Sequence, residues 1–465
     1  MKALKIVAAV AVAGLALSSG SAALAQAARP NVIVFMTDDQ NVSSLEVMPN
    51  VRALLAQQGV TFTNNFVSYP LCCPSRATYL TGQYPHNHDV MWNMAPDGGY
   101  YKLRGNETLP VWMSRAGYQT AHIGKYLNGY GTQDPLEIPA GWGEWYGSID
   151  PTTYRMWGYT LNENGVLKTY GQDNVENPAL YQTDVYRAKA VDYINRKAPG
   201  LAPFFLSVAT LAPHTEGGWA ASNGNRNPRP APRHRGAFAD RALPRPPSYD
   251  ETDVSDKPAH IRALPRIDAA GEAQITKTYR SRLESLLAVD EAVAAIVNAL
   301  QANGELANTL IIFTSDNGWL QGEHRIRSGK IHPYEESIRV PLILRGPGLV
   351  PNTQRAAQVS NIDLAPTVLD AGDGTAGIVM NGRSLLPVST AARNLLVETG
   401  PRGDGSRWYA AVRTPRFLYV EHSTSELELY DLQLDPYQLR SRHNDAAYLE
   451  VRAALAAELH RLMVS

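Results

Sequence analysis

Cysteine is almost absent from this chain. Only two occur among its 465 residues, and they are neighbours, Cys72 and Cys73. A bridge between adjacent residues would be strained and would close almost no loop, so the fold does not rest on disulfides. Two thiols are also too few for a four-ligand zinc site. An excess of one charge is lacking too: 43 Lys and Arg face 44 Asp and Glu, for a formal net charge of −1. No global attraction to nucleic acid or acidic membranes follows from that balance, and any polyanion contact would need a local patch. There is no internal repeat and no apolar run long enough to span a bilayer. What remains is an ordinary globular composition, 44% hydrophobic and 19% charged, in a chain longer than one usual domain.

The N-terminus reads separately. Lys2 and Lys5 precede an apolar stretch over residues 6–17, and Ala23-Leu24-Ala25 supplies the small-x-small pattern that signal peptidase recognises. Residues 1–25 are expected to be a signal peptide, and the mature chain to be exported, to the periplasm or the medium, without a transmembrane segment.

The run from Asn31 to Met36 reads as a strand buried on both faces, ending in Thr37-Asp38-Asp39. Helices are expected over 49–58, 74–81, 108–116 and 275–302, each stopped by or just before a glycine. Strands are expected over 119–123, 203–209, 309–314 and 340–344. Strands alternating with helices predict an α/β fold, a mostly parallel sheet covered on both faces. Ligands of such sheets sit at the carboxyl ends of the strands. Asp38, Lys125, His214 and Asp316 each fall just past a predicted strand, so all four are expected on one rim. After residue 382 shorter runs, 408–412, 417–421 and 428–432, predict a small antiparallel sheet closed by a helix over 446–463. The expected division is a catalytic unit over 29–381 and a C-terminal α+β unit over 382–465.

Residues 217–268 are rich in Pro, Gly and Arg without periodicity. Between Arg226 and Arg245 stand six arginines against one acid, Asp240. This segment reads either as a solvated surface excursion or as a lid that contacts an anionic substrate.

The segment Leu71-Cys72-Cys73-Pro74-Ser75-Arg76, followed by Leu80-Thr81-Gly82, resembles the signature of the type I sulfatases, whose Cys-x-Pro-Ser-Arg motif is oxidised at its first cysteine to formylglycine (3-oxoalanine). Asp38-Asp39, Gly124-Lys125, Pro213-His214, Asp316-Asn317-Gly318, Gly329-Lys330, Tyr334-Glu335-Glu336 and Arg339-Val340-Pro341 appear in that family's order. The resemblance extends from about Arg29 to the end. It implies an alkaline-phosphatase-like α/β/α sandwich and a sulfuric ester hydrolase acting on sulfate monoesters, through a sulfated formylglycine at position 72. A hydrated aldehyde carries two hydroxyls on one carbon. One can attack sulfur, and deprotonating the other then expels sulfate, where a serine ester would need a second slow hydrolysis.

Asp38, Asp39, Asp316 and Asn317 offer only oxygen ligands, which suits Ca²⁺ or Mg²⁺, with Ca²⁺ placed first; by resemblance the modified Cys72 is the fifth ligand. Lys125 and Lys330 would hold sulfate oxygens, His214 would bind sulfate and protonate the departing alcohol, and Arg76 would bond the formylglycine oxygen or a metal carboxylate. The implied partners are a sulfated small molecule or glycan and a formylglycine-generating enzyme.

One position departs from the pattern. Many sulfatases carry a histidine two residues after the first lysine; here it is Leu127. Gly124-Lys125-Tyr126-Leu127-Asn128, with Pro85-His86-Asn87-His88, Gly141-Trp142 and Asp184, resembles the branch of N-acetylglucosamine-6-sulfatases and heparan endosulfatases. Asn128 is expected to take the vacant place as a hydrogen-bonding group. As an amide it cannot be a base, which leaves His86, His88, His324 and His332 as candidates. Two other readings stand beside this one: a phosphonate monoester or phosphodiester hydrolase with the same formylglycine and metal, and a catalytically inactive polyanion-binding protein using the 226–245 arginines.

Overall fold

A computed structural model describes residues 29–217, 227–387, 392–401 and 407–465. The expected signal peptide and Arg226 lie outside the described residues.

A ten-stranded sheet forms the centre. Its five middle strands, in spatial order Thr309–Ser315, Asn31–Thr37, Phe204–Ala209, Gln119–Gly124 and Glu144–Ser148, all run parallel. Leu342–Arg345 pairs antiparallel to Thr309–Ser315 on one side, and the hairpin Tyr159–Glu163/Val166–Tyr170 pairs antiparallel on the other. Val32, Val34 and Met36 point to one face, where the helices Cys72–Thr81, Leu109–Arg115 and Leu364–Ala371 cover them. Ile33 and Phe35 point to the opposite face, under the helices Gln182–Lys197 and Ala269–Ala302. A strand buried on both sides must be apolar at every position, which is why the 31–36 run has no alternation. The result is the expected α/β/α sandwich.

Beyond it, Leu395–Pro401, Arg407–Arg413, Phe417–His422 and Leu427–Asp431 form a four-stranded antiparallel sheet. Leu396, Val412, Tyr419 and Leu429 pack on Leu455, Leu459 and Leu462 of the helix Leu449–Leu462. The alternate residues Leu395, Val397, Leu418 and Val420 meet Phe66, Ile261, Tyr334 and Ile338.

Several boundaries differ from expectation for local reasons. The helix expected at Pro74 begins at Cys72, with Leu71 extended before it. The long helix starts at Ala269, because the Asp268 side chain accepts the Gly271 N–H at 2.8 Å.

The 217–268 segment, where described, is mostly irregular chain. Its described arginines each face an acid of the protein. Arg229 pairs with Glu216 and Asp173, Arg233 with Asp184 and Glu291, Arg235 with Glu176, Arg241 with Glu46, and Arg245 with Glu272. Of these guanidiniums, those of Arg235, Arg241 and Arg245 meet their acids at the surface.

Candidate active site

Parallel pairing brings the site together. Thr37 stands opposite Ser315 and Gly124 opposite Ala209, so Asp38, Asp316 and Lys125 leave their strands side by side. Gly124 is required where it stands: its φ is +106°, and a Cβ would meet the Ala209 carbonyl oxygen at 2.0 Å. The chain can therefore turn Lys125 into the rim only at a glycine.

Cys72 sits in the first turn of its helix, 1% exposed. Its Sγ lies 3.5 Å from Asp38 Oδ1 and 2.8 Å from Lys330 Nζ. Lys125 Nζ bonds Asp38, and Lys330 Nζ bonds Asp39. His214 Nε2 stands 3.5 Å from Asp39 Oδ2. Asp316 accepts the Asp39 N–H at 3.1 Å, and Asn317 Nδ2 donates to Asp39 Oδ1 at 2.6 Å. Arg76 Nε donates to Asp316 Oδ2 at 2.8 Å, with its NH2 nitrogen 3.5 Å from Asp38. Asp38, Asp39, Cys72, Arg76, Lys125, His214, Asp316, Asn317 and Lys330 thus lie together, with Arg76 on the Asp316 carboxylate.

Charge follows from this geometry. Burial alone would raise the Asp38 carboxyl, but Lys125 and His214 outweigh it and hold the group below the usual carboxylate range. Asp39 behaves likewise against Lys330 and His214. Burial lowers the His214 imidazole, with Asp39 and Asp38 opposing. Burial and the Asp38 charge push the Cys72 thiol up to about 12, so unmodified it is neutral at physiological pH and a poor nucleophile.

The donor set suits a metal ion, with two carboxylates, an imidazole nitrogen and the side chain of residue 72 as candidate ligands. Asp39 Oδ2 is buried without a hydrogen-bond partner, and Asp38, Asp39, Cys72 and His214 each turn one ligand-type atom to a common point, all within 4.8 Å of one another. Asp39 adopts a left-handed backbone with φ of +67°, a conformation uncommon outside glycine and concentrated at functional sites. His214 belongs to this group although its expected role was toward substrate, while Asp316 and Asn317 bond Asp39 directly.

A cavity of about 300 Å³ opens over Cys72, His214 and Lys330. Asn128 and Tyr154 also line it, and Tyr154 organises the wall. Its hydroxyl accepts from Asn128 Nδ2 at 2.6 Å, its ring packs 5.1 Å from His214, and Lys125 Nζ lies 4.7 Å from its centroid. Asn128 Oδ1 is buried and unpartnered. Tyr154 gave no sequence signal, closing the short 3-10 turn Thr152–Tyr154, which carries no motif. Arg282 did: a charged side chain amid the apolar positions of the long helix, it is buried and bonds the carbonyls of Pro213 and Asp39.

The four candidate histidines are not in this cavity. His86 Nδ1 bonds Glu398 at 2.6 Å, and His88 Nε2 bonds Thr78 at 3.0 Å. His324 bonds Glu251 at 2.6 Å, and His332 stacks on His260 and Tyr334. Burial pushes His88 and His332 down to about 3, as expected of imidazoles packed away from solvent. Leu127 is buried in the core. Each of these histidines supports packing or a loop, and none reaches Cys72.

Comparison with known proteins agrees with this arrangement. The sulfatase family model matches residues 30–374, and the model for the C-terminal part of N-sulphoglucosamine sulphohydrolase matches residues 322–465. Human N-acetylglucosamine-6-sulfatase is 36% identical over 88% of this chain and 80% of its own length. An arylsulfatase of Volvox carteri is 32% identical over 96% of this chain and 76% of its own. A solved structure in complex with its substrate D-glucosamine-2-N,6-O-disulfate superposes with a TM-score of 0.76 at 25% identity, covering 93% of this chain and 97% of that one. With a family model over most of its length and such relatives, this chain belongs to the sulfatase family.

Proposed function

We propose that the protein hydrolyses the sulfate monoester of a sulfated sugar, of the glucosamine 6-sulfate type, after conversion of Cys72 to formylglycine. The observation that carries this reading is the position of Cys72 at a helix start, 2.8 Å from Lys330 Nζ and 3.5 Å from Asp38 Oδ1. Formylglycine, once hydrated, supplies a carbon with two hydroxyls, one to take the sulfate and one whose deprotonation releases it.

Asp38, Asp39, Asp316 and Asn317, with residue 72, would hold one divalent cation, Ca²⁺ before Mg²⁺; when bound it polarises sulfate oxygens and acidifies the attacking hydroxyl. Lys125 and Lys330 orient the sulfate and offset charge that grows in the transition state. His214 Nδ1–H donates to the Thr215 carbonyl at 2.6 Å, which fixes the ring and leaves Nε2 facing the site. Nε2 delivers the proton to the departing alcohol. His214 is also the imidazole that lines the cavity among the described residues, so we assign it the second proton transfer, the task of the histidine replaced by Leu127. Asn128 Oδ1 accepts a hydrogen bond from the substrate.

In the described residues no helix is long and apolar enough to cross a membrane. The Lys2-to-Ala25 pattern supports export through signal peptidase, with maturation by a formylglycine-generating enzyme.

Two outcomes follow from these roles. Lys330→Ala lowers kcat by about 10²–10³, the usual cost of one lost transition-state donor. Exhaustive chelation followed by desalting abolishes turnover and lowers the melting temperature. Ca²⁺ restored at 100 times its Kd returns about 2.7 kcal/mol of stability; a parallel titration with Mg²⁺, read by differential scanning calorimetry, ranks the two ions. The reaction itself is tested by steady-state rates on N-acetylglucosamine 6-sulfate, an aryl sulfate and a phosphonate monoester. Faster turnover of the sulfates is expected, and preference for the phosphonate would overturn the assignment.

A further inference from the structure

One wall of the cavity takes no part in handling the sulfate. It is built by Trp92, Asn93 and Met94 on one side and by Thr132 and Asp150 on the other. Both sides are pinned to the reacting centre. The first loop is closed by Met91 N–H donating to Asp97 O at 2.7 Å and Gly99 N–H to Trp92 O at 3.0 Å. Asn93 Oδ1 accepts the Cys73 N–H at 3.0 Å, which ties that loop to the helix start beside Cys72. On the other side Asp150 Oδ2 accepts the Gly129 N–H at 2.6 Å, and the Asp150 N–H donates to Tyr130 O at 3.1 Å. Gly129 follows Asn128, so Asp150 is fixed relative to Lys125 and the sulfate.

The charge on this wall is informative. Among the described lining residues the lysine is Lys330, already bonded to Asp39 and Cys72, and the acid is Asp150. The described arginines of the 229–245 stretch, which could have supplied a second anion site, are paired with the protein's own acids. An aromatic side chain, amides, a hydroxyl and one carboxylate suit a neutral sugar ring, stacked on one face and hydrogen-bonded at its edge. Among the described lining residues the same wall offers a second sulfate no cation beyond Lys330, which Asp39 and Cys72 already hold, and one acidic group.

We propose that this wall is the sugar subsite, that Asp150 accepts a hydrogen bond from a ring hydroxyl or amide N–H, and that it selects sugars carrying a single anionic group over those with a second sulfate or carboxylate. The inference rests on the sugar-sulfatase reading above and adds the substrate's charge to it.

The test measures kcat/KM on N-acetylglucosamine 6-sulfate, on glucosamine 2-N,6-O-disulfate and on an aryl sulfate, with the mature enzyme. The enzyme is expected to favour the monosulfated sugar over the disulfate by about tenfold or more, the scale of one unfavourable charge contact. Asp150→Asn should narrow that ratio about fivefold or more, mainly through KM. Met94 is half-exposed at the rim, with 51% of its surface accessible, so Met94→Lys tests the same point without disturbing the interior, and should shift the ratio toward the disulfate. Equal use of the two sugars, or preference for the disulfate, overturns the proposal. So does an unchanged ratio in both variants, the pattern a purely structural Asp150 would give. Failure on all three esters would instead bring down the sulfatase reading itself, and the aryl sulfate arm separates the two cases.

Discussion

Cys72→Ala should abolish turnover, lowering kcat by about 10⁵ or more, as loss of a covalent nucleophile does when the remaining site is intact. The side chain is buried and small, and alanine nearly replaces its packing, so the folded protein should survive; circular dichroism with a melting curve would verify it. Cys72→Ser gives a sharper result. A serine hydroxyl beside Lys330 and Asp38 can accept a sulfate once, but it has no second hydroxyl on the same carbon to drive release. One equivalent of product per enzyme should appear, after which the reaction stalls with the sulfate on the introduced serine. Rapid-quench measurement of product stoichiometry distinguishes this from simple inactivity.

Arg76→Ala should be the most damaging substitution for the fold itself. Arg76 is 3% exposed and lies between two buried carboxylates, with Nε on Asp316, a terminal nitrogen near Asp38 and another donating to the Lys125 carbonyl at 2.8 Å. Removing it leaves the buried Asp316 without its guanidinium partner and Asp38 with Lys125 alone, at a cost of about 3–5 kcal/mol. Arg76→Lys should recover little of this, since a single ammonium cannot reach three acceptors held in a planar fork. Urea denaturation of the two variants against the parent gives the comparison. Comparable stability in all three would mean that Asp38 and Asp316 are neutralised by other groups.

Much of this site is legible in the chain because its residues follow strands that are themselves obvious. The runs at 31–36 and 309–314 are apolar at nearly every position, and the acids after them stand out by contrast. Gly124-Lys125 and Pro213-His214 are marked in the same way. Other parts were harder for identifiable reasons. Glu144–Ser148 is a strand of mixed polarity near the sheet's edge, and Gln182–Lys197 is a helix with few aliphatic residues, its buried face carried by Val185, Tyr186, Tyr193 and Ile194. The hairpin around Asn164-Gly165 did carry a turn signal, but its second strand is largely exposed and alternates weakly. Trp92, Asp150 and Tyr154 come from loops and a short turn whose approach to Cys72 depends on the finished sheet, and no local pattern encodes that. The histidines failed as candidates because imidazole serves packing as readily as proton transfer. Only the fold reveals that each already has a partner elsewhere.

Residue 72 must no longer be a cysteine in the working enzyme if the two-hydroxyl mechanism operates. The direct measurement is the intact mass of the tryptic peptide spanning residue 72 from fully active protein, with and without an aldehyde-reactive hydrazide. The expected result is the mass deficit of a thiol converted to an aldehyde, shifted further by one hydrazone. An unmodified thiol at that position, in protein turning over sulfate esters at its full rate, would contradict it.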